Sequence, residues 1–460
     1  MSKLCWIIVL FIAFAGRAQT VEKKLLQAVE QVQQDSQMRY AMIGLAVADA
    51  RTGNMVFEYN ANTGLAPAST QKIITSVAAF ELLGKDYRFT TRLAHDGKII
   101  NGVLAGNLVV IGGGDPALGS WRYSSTKPEV VLNAFSVALK KQKVREVTGS
   151  VVIMDSAFSR NGIPDGWIWQ DIGNYYGAGA YQLNWKENQF DVVLRSGDRI
   201  GDRVDVVNDP LPFQDGYVNE LKAAAKGSGD NAYVYLAPGR NKLPLLQGTI
   251  PAGERSFTIA AASVDPGRDM TAALVAALLK DTIAVRDRAQ EGGRSLQDLY
   301  TYRSPALDSI VYWFMRRSIN LYGEALMKAI AYEKKGYGST DGGVGLVRDF
   351  FHERGIVDKN AIRIMDGSGL SPQNRVTAGS LVSVLQFARS RPWFASFYES
   401  FPVYNGMKLK SGSIGGARAF AGYHTAGDGR QYVVAIIINN YSGSSSAAVS
   451  KMYKVLDQLK

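Results

Sequence analysis

The chain has 460 residues, of which 46% are hydrophobic and 20% are charged, a composition that excludes a disordered or fibrous protein. Lysine and arginine outnumber aspartate and glutamate by 52 to 41, but no basic arm or aromatic-basic motif accompanies the excess, so we expect no nucleic-acid partner. The chain has 1 cysteine, which excludes an intramolecular disulfide and a cysteine metal site.

Residues 1–18 have the pattern of a signal peptide. Lys3 precedes an apolar run from Leu4 to Ala15, and Gly16-Arg17-Ala18 provides a small-residue cleavage site. The apolar run is shorter than the ~20 residues that a membrane-spanning helix needs. We therefore expect export to the periplasm, with no transmembrane anchor after cleavage.

The predicted elements are mixed at both ends of the chain and mostly β in the middle. Helices are predicted at 21–37, 69–83, 128–142, 307–334, 343–353, 378–389 and 445–459. Strands are predicted at 41–47, 54–59, 147–154, 407–411, 417–424 and 431–439, with further short strands and Gly-rich turns between about 95 and 284.

These elements indicate an α+β protein in which helices pack on an antiparallel sheet and β-rich domains are inserted into the first part. The expected organisation is a signal peptide at 1–18, the first part of the main domain at 19–93, inserted domains at 94–284, and the second part at 285–460.

The catalytic motifs point away from a histidine-based hydrolase. The chain has 3 histidines, no H-E-x-x-H metal pattern and no G-x-S-x-G turn. It does have Ser-Thr-Gln-Lys at 69–72, where the i, i+3 spacing at a helix start puts the Ser69 hydroxyl and the Lys72 amine on one face. The first turn also offers N–H groups for an oxyanion. Lys72 can act as a base only when neutral, so we expect it to be buried or close to a second cation.

No single motif is specific. S-x-x-K recurs at Ser124–Lys127, where the following Pro128 predicts an extended loop, and S-x-N occurs at both Ser159–Asn161 and Ser318–Asn320. The order of elements favours residues 69, 318 and the segment Lys410–Ser413. There, S-x-x-K opens an apolar helix, S-x-N follows a helical stretch, and Lys-Ser-Gly-Ser lies on a strand.

This combination resembles the active-site serine penicillin-recognising superfamily. Within it, the chain is similar to the DacB-like D-alanyl-D-alanine carboxypeptidases/endopeptidases, also called class C low-molecular-mass penicillin-binding proteins. The long interval between the first two motifs also resembles this group, whose β-lactamase-type, transpeptidase-like domain carries insertions there. The resemblance extends over nearly the whole chain after residue 18. Its supporting segments are Pro67–Lys72, Gly112–Pro116, Gly166–Asp171, Tyr175–Ala178 and Asp366–Ser371.

The resemblance implies a role for each motif residue. Ser69 would be the acylated nucleophile and Lys72 its base. Ser318 would pass a proton to the leaving D-alanine, and Asn320 would bind the substrate amide.

The strand motif would hold the other end of the substrate. Lys410 would supply positive potential for the terminal carboxylate, which Ser411 and Ser413 would bind by hydrogen bonds. Gly412 would leave room for the substrate backbone at the strand edge, and the amides of Ser69 and Ser413 would form the oxyanion hole. Ser411 departs from the usual threonine but keeps the hydroxyl.

Asp155 and Phe158 follow a predicted strand, and the resemblance implies that they contact the third residue of the stem peptide. An exposed acid and a core phenylalanine are the equal alternative. Pro372 follows Ser371 where many relatives have a basic residue, so we assign this loop no substrate contact and no catalytic role.

The expected function is a serine-type D-Ala-D-Ala carboxypeptidase, with endopeptidase activity on D-Ala-diaminopimelate crosslinks as a further expectation. Its partners would be peptidoglycan stem peptides, with β-lactams as covalent inhibitors and no metal or organic cofactor. Two alternatives stay open. A serine esterase or β-lactamase on the same scaffold would turn over its substrate quickly, and a peptidoglycan-binding or assembly protein would be catalytically weak.

Overall fold

The computed structural model describes residues 21–209, 211–213, 215–237, 243–288 and 295–460. The predicted signal peptide lies outside these ranges. The chain forms two compact units. The first comprises the residues up to Lys85 with Val311–Ser318 and Val344–Lys460, and the second comprises Asp86–Ile310 and Ile319–Gly343. No helix within the described ranges is both long and apolar enough to cross a membrane.

The helices vary from one turn to more than four turns. They are α1 (residues 21–33), α2 (Lys72–Leu82), α3 (Pro128–Lys141), α4 (Trp169–Ile172), α5 (Pro266–Lys280), α6 (Leu307–Arg316), α7 (Asn320–Lys335), α8 (Thr340–Glu353), α9 (Ala378–Arg389), α10 (Phe394–Glu399) and α11 (Ser445–Leu456).

The strands are short in the second unit and longest at the end of the chain. They are β1 (Met42–Asp49), β2 (Met55–Tyr59), β3 (Thr90–His95), β4 (Lys98–Ile100), β5 (Val103–Ala105), β6 (Leu108–Ile111), β7 (Glu146–Val147), β8 (Val151–Met154), β9 (Gln189–Ser196), β10 (Val204–Val206), β11 (Val218–Asn219), β12 (Lys222–Ala224), β13 (Asn231–Tyr235), β14 (Leu245–Pro251), β15 (Phe257–Ala262), β16 (Ala284–Val285), β17 (Gln297–Arg303), β18 (Ile362–Arg363), β19 (Arg375–Val376), β20 (Val403–Tyr404), β21 (Met407–Ile414), β22 (Ala417–Thr425) and β23 (Gln431–Asn439).

The first unit is built on an antiparallel sheet with the order β2-β1-β23-β22-β21-β20. Side chains alternate between its two faces, as strand geometry requires. Leu45 and Ile436 belong to the core that α1 and α11 cover. On the other face α9 packs against β1 and β23. A Cβ at Gly44 would lie 3.1 Å from the Cδ1 of Leu65, which is the tightest contact at this position.

Helix α2 is buried along almost its whole length, from Lys72 to Phe80. It contacts α9, and the 3-10 turn Ala68–Gln71 that precedes it contacts β21 and β22. It ends where the amide of Gly84 donates to the carbonyl of Phe80, with Gly84 in the left-handed region at φ 89°. The predicted helix and its stop are therefore confirmed, with the first turn wound more tightly than expected.

The continuous helix predicted for 307–334 is wrong at its middle. Helix α6 ends at Arg316, Ser318 has a left-handed φ of 56°, and α7 begins at Asn320. Apolar periodicity did not reveal the break because both helices bury an apolar side, and a single left-handed residue interrupts a helix without changing that pattern.

The second unit contains small sheets with the orders β17-β3-β6-β8, β16-β7-β5-β4, β10-β9-β15 and β11-β14-β12, with β13 paired to β14. Helices α3 and α5 cover one core, and a second core lies among β9, β10, β13, β14 and β15. Strands β3 and β17 pair with each other inside this unit. The expected domain boundaries at 93 and 285 stay predictions. In the structure, β3 and β17 both belong to the second unit.

Candidate active site

Ser69 lies in a sharp turn directly before α2. The preceding Ala68 has a left-handed φ of 46°, a conformation that costs about 1–2 kcal/mol for a residue with a Cβ. The Thr70 hydroxyl donates to the carbonyl of Pro67 at 2.7 Å and stabilises the turn. Ser69 is partly exposed whereas Ala68 and Thr70 are buried, so the serine side chain is accessible while its neighbours in the turn are packed.

Lys72 is fully buried and lies one turn after Ser69. Its Nζ is 2.9 Å from the Oγ of Ser69 and donates to the carbonyl oxygen of Ser368 at 2.7 Å. The ring of Phe314, on α6, lies 5.6 Å from the same nitrogen. The spacing in the sequence therefore does bring hydroxyl and amine into hydrogen-bond contact.

The loop at 366–371 packs against the Ser69 turn and Lys72. Asp366 is fully buried and accepts hydrogen bonds from the amides of Gly369 and Ser371 and from the side chain of Gln71. Gly369 has φ 84°, and a Cβ there would meet the carbonyl oxygen of Ala68 at 2.0 Å. The sequence assigned this loop no catalytic role, and its contacts are those of a support for Lys72.

Lys410 is a second buried lysine of the first unit. Burial, and then the positive charge of Lys72, hold the pKa of Lys410 well below its ordinary value. Its Nζ donates to the carbonyl of Ser411 at 2.7 Å. Two ammonium groups that are buried together repel each other, which favours a neutral amine at one of them.

Strand β21 passes close to the turn that holds Ser69. A Cβ at Gly412 would lie 2.5 Å from the carbonyl oxygen of Pro67 and 3.2 Å from the amide nitrogen of Ser69. Ser411 is partly buried and Ser413 is exposed, and these two hydroxyl-bearing residues flank Gly412 on the strand. The close approach explains why this position has no side chain.

The first and last residues of the S-x-N motif, Ser318 and Asn320, belong to different units. Ser318 lies in the first unit, two residues after the end of α6, and Asn320 opens α7 in the second unit. Asn320 is 8% exposed, and its Nδ2 donates to the carbonyl oxygen of Tyr176 at 2.7 Å. The sequence named Tyr176 only as part of a matching segment, and no periodicity could have revealed this contact.

Asp171 is a further candidate functional residue, to which the sequence analysis assigned no role. Burial raises its pKa to about 6, while a hydrogen bond with the Tyr176 side chain acts in the opposite direction. It therefore changes charge close to neutral pH, beside the segment that contacts Asn320. In the sequence, only the pair of tyrosines at 175–176 shortly after this acidic residue could have indicated a hydrogen bond with it.

Asp155 and Phe158 belong to the second unit. Phe158 is 3% exposed, and its ring packs 5.3 Å from that of Tyr332, an arrangement that favours the core alternative. Asp155 is exposed and lines an open cavity of about 640 Å³ together with Arg160 and Arg268. Their contact with a substrate stays a prediction.

The second S-x-x-K motif has the loop structure that Pro128 predicts. Lys127 is extended, with φ −52° and ψ 144°, and Ser124 is exposed in a turn before α3. Across the described ranges, no group of three or more His, Cys, Asp or Glu side chains is placed to hold a metal ion.

A helix-covered antiparallel sheet with a serine and a buried lysine one turn apart, beside a Lys-Ser-Gly strand, defines a serine hydrolase of the transpeptidase-like class. The model of the D-Ala-D-Ala carboxypeptidase 3 (S13) family matches residues 25–459. The chain therefore belongs to this family of serine-type peptidases, and the enzyme class and fold class expected from the motifs are confirmed.

Individual relatives agree with this assignment. The chain is 27% identical over 460 residues to a D-alanyl-D-alanine carboxypeptidase of Actinomadura sp. (strain R39), covering 93% of this chain and 83% of the relative. It is 26% identical over 426 residues to the D-alanyl-D-alanine carboxypeptidase DacB of Haemophilus influenzae, covering 87% and 86%. The crystal structure of penicillin binding protein 4 (dacB) from Haemophilus influenzae has a TM-score of 0.76 at 25% identity, covering 91% of this chain and 96% of that one.

Proposed function

We propose that this enzyme removes the terminal D-alanine from peptidoglycan stem peptides through an acyl-enzyme on Ser69. The observation that carries the proposal is the 2.9 Å contact between the Nζ of Lys72 and the Oγ of Ser69. A neutral amine that donates to Ser368 can still accept the Ser69 proton, which is the geometry of a general base.

In the acylation step the Oγ of Ser69 attacks the carbonyl carbon of the penultimate D-alanine, and its proton passes to Lys72. The negative charge that develops on the carbonyl oxygen is stabilised by the amides of Ser69 and Ser413, each worth about 3 kcal/mol in such sites. The C–N bond then breaks, and the leaving amine takes up the proton through Ser318. Water hydrolyses the ester and restores Ser69.

The other motif residues hold the substrate. Lys410 supplies positive potential to the terminal carboxylate, which accepts hydrogen bonds from Ser411 and Ser413. Asn320 binds the substrate amide. The close approach of Gly412 to the Ser69 turn supports this arrangement, because it sets the strand edge beside the nucleophile's amide.

The proposed location is the periplasm, with the stem peptide as substrate and β-lactams as covalent inhibitors. Family membership supports a cell-wall substrate, and the charged, apolar and small-residue pattern of residues 1–18 supports export. One solved relative, penicillin binding protein 4 (dacB) from Haemophilus influenzae, is in complex with a β-lactam, which supports the inhibitor class.

The test is the intact mass of the protein after incubation with benzylpenicillin, beside release of D-alanine from a small acyl-D-Ala-D-Ala peptide. We expect one adduct in the wild type and none in Ser69→Ala. Ser124→Ala, which removes the exposed serine of the second S-x-x-K motif, is the matched control and should keep the adduct. Crosslinked muropeptides then separate carboxypeptidase from endopeptidase activity.

Two results would contradict the proposal. An adduct that persists in Ser69→Ala would assign the nucleophile elsewhere. A wild-type protein with neither adduct nor D-alanine release would favour the binding or assembly alternative, and rapid turnover of the β-lactam would favour a β-lactamase.

A further inference from the structure

We propose that three aromatic residues of the second unit, Trp169, Tyr233 and Tyr235, bind the glycan strand that carries the stem peptide. We call these three rings the aromatic platform. The inference rests on the proposed function, because it is the stem peptide that makes a glycan the neighbouring ligand.

The three rings form a row in which neighbouring ring planes are tilted by 54° and 50°. The centroids of Trp169 and Tyr235 are 4.8 Å apart, and those of Tyr235 and Tyr233 are 6.3 Å apart. The Nε1 of Trp169 donates to the carbonyl oxygen of Leu236 at 2.7 Å, which fixes the indole beside the end of β13. An indole that is held in this way loses little conformational entropy when a ligand stacks on it.

The platform lies on the outer side of the second core. Along β13 the alternate residues Ala232 and Val234 are buried, whereas Tyr233 and Tyr235 stay partly exposed on the opposite face. Trp169 is 48% exposed. Core packing therefore does not require these rings, and neighbouring exposed aromatic residues are typical of binding surfaces.

The platform is joined to the segment that contacts Asn320. The amide of Val234, between the two tyrosines, donates to the Oδ1 of Asn174 at 3.0 Å. Two residues further along, the carbonyl of Tyr176 accepts from Asn320 at 2.7 Å. One short segment, Asn174–Tyr176, therefore contacts both the strand that carries the two tyrosines and the side chain of Asn320.

A saccharide matches the chemistry of this surface. The axial C–H groups of a pyranose stack on the face of an aromatic ring, and its hydroxyls are donors for nearby acceptors. The exposed carboxylate of Asp230 lies directly before β13 and is close enough to act electrostatically on Tyr176. A carboxylate here would bind hydroxyl groups but repel the acidic groups of a stem peptide, so we assign the platform to the glycan.

The test uses the full-length protein and peptide-free oligomers of β-1,4-linked N-acetylglucosamine as the probe, with binding followed by calorimetry. We expect wild-type binding to weaken by about tenfold or more in Trp169→Ala and in Tyr235→Ala. Trp169→Phe, which keeps a ring, should retain part of the affinity. Trp121→Ala is the matched control, because Trp121 is 49% exposed in the same unit but is not part of the platform.

A second readout is the ratio of D-alanine release from intact sacculi to release from a small peptide. The ratio should fall in the two platform variants and stay unchanged in Trp121→Ala. Equal oligosaccharide affinity in wild type and Trp169→Ala, or no wild-type binding, would overturn the inference. So would a dimer that Trp169→Ala converts to a monomer without any effect on saccharide binding. Failure of the proposed function is distinguishable, since it would abolish the wild-type penicillin adduct.

Discussion

Lys72 donates a hydrogen bond to the carbonyl oxygen of Ser368, 2.7 Å away, and the two residues are separated by almost 300 positions in the chain. The contact fixes one N–H direction of the amine and so orients it toward Ser69. Ser368 in turn belongs to a loop whose buried acceptor is Asp366. The position of the proposed base therefore depends on the loop that Asp366 holds together.

Substitution of Asp366 by alanine should slow acylation and destabilise the protein. It would leave the amides of Gly369 and Ser371 without their carboxylate acceptor, at a cost of about 3 kcal/mol or more. The measurements are the rate constant of benzylpenicillin acylation, taken well below the melting temperature, and the melting temperature itself. Asp428→Ala, at an exposed aspartate of the last hairpin, is the control.

Rescue distinguishes positioning from general instability. Asp366→Asn keeps one carbonyl acceptor and should recover part of the acylation rate. If Asp366→Ala acylated at the wild-type rate, the support of Lys72 by this loop would have no functional consequence.

The local elements could be predicted from the sequence, but the contacts among them could not. The apolar run after Ser69 predicted α2, and alternation predicted the three final strands. The pairing of β1 with β23, and of Lys72 with Ser368, joins distant segments and has no periodic signal. The S-x-x-K spacing did reveal which two side chains meet, because that geometry lies within one helical turn.

The pH dependence of acylation should shift when Lys410 is neutralised. A base must lose its proton, so the acylation rate rises with pH. Removing the neighbouring positive charge makes protonation of Lys72 easier, so the acid limb of Lys410→Gln should move to higher pH. The pH profile of benzylpenicillin acylation measures this shift.

Lys410→Arg provides the comparison, because it keeps the charge and should leave the limb close to the wild-type position. Only the pH at the midpoint is diagnostic, since loss of a carboxylate-binding cation lowers the rate at every pH. An unchanged midpoint in Lys410→Gln would mean that the two lysines are not coupled in the functioning enzyme.

Gly412→Ala should impair acylation without unfolding the protein. The new Cβ would lie 2.5 Å from the carbonyl of Pro67, so strand β21 and the Ser69 turn would have to separate. A displacement of about 1 Å at a reacting group can cost about a hundredfold in rate. Gly415→Ala is the matched control in the turn after the same strand, where a Cβ would meet nothing within 4 Å. Equal acylation rates for the two variants would argue against a role for the close approach.

Asp115 should make the protein less stable as the pH rises toward neutrality. The Asp115 side chain is buried, and burial raises its pKa from 3.8 to about 7. Its Oδ2 has no hydrogen-bond partner in the described part of the chain. Its Oδ1 accepts a hydrogen bond from the amide of Ala117 at 2.8 Å. The charge of Asp115 contributes to the raised pKa values of Tyr87 and Tyr302.

Between about pH 4 and pH 7 the unfolded chain loses the Asp115 proton while the folded state keeps it, so rising pH favours unfolding. Asp115→Asn cannot ionise, so its free energy of unfolding relative to wild type should rise across this range, by on the order of 2–4 kcal/mol. Denaturant unfolding of both proteins at pH 5 and pH 8 measures the difference. A difference that did not change with pH would mean that Asp115 has the same pKa in the folded and unfolded states.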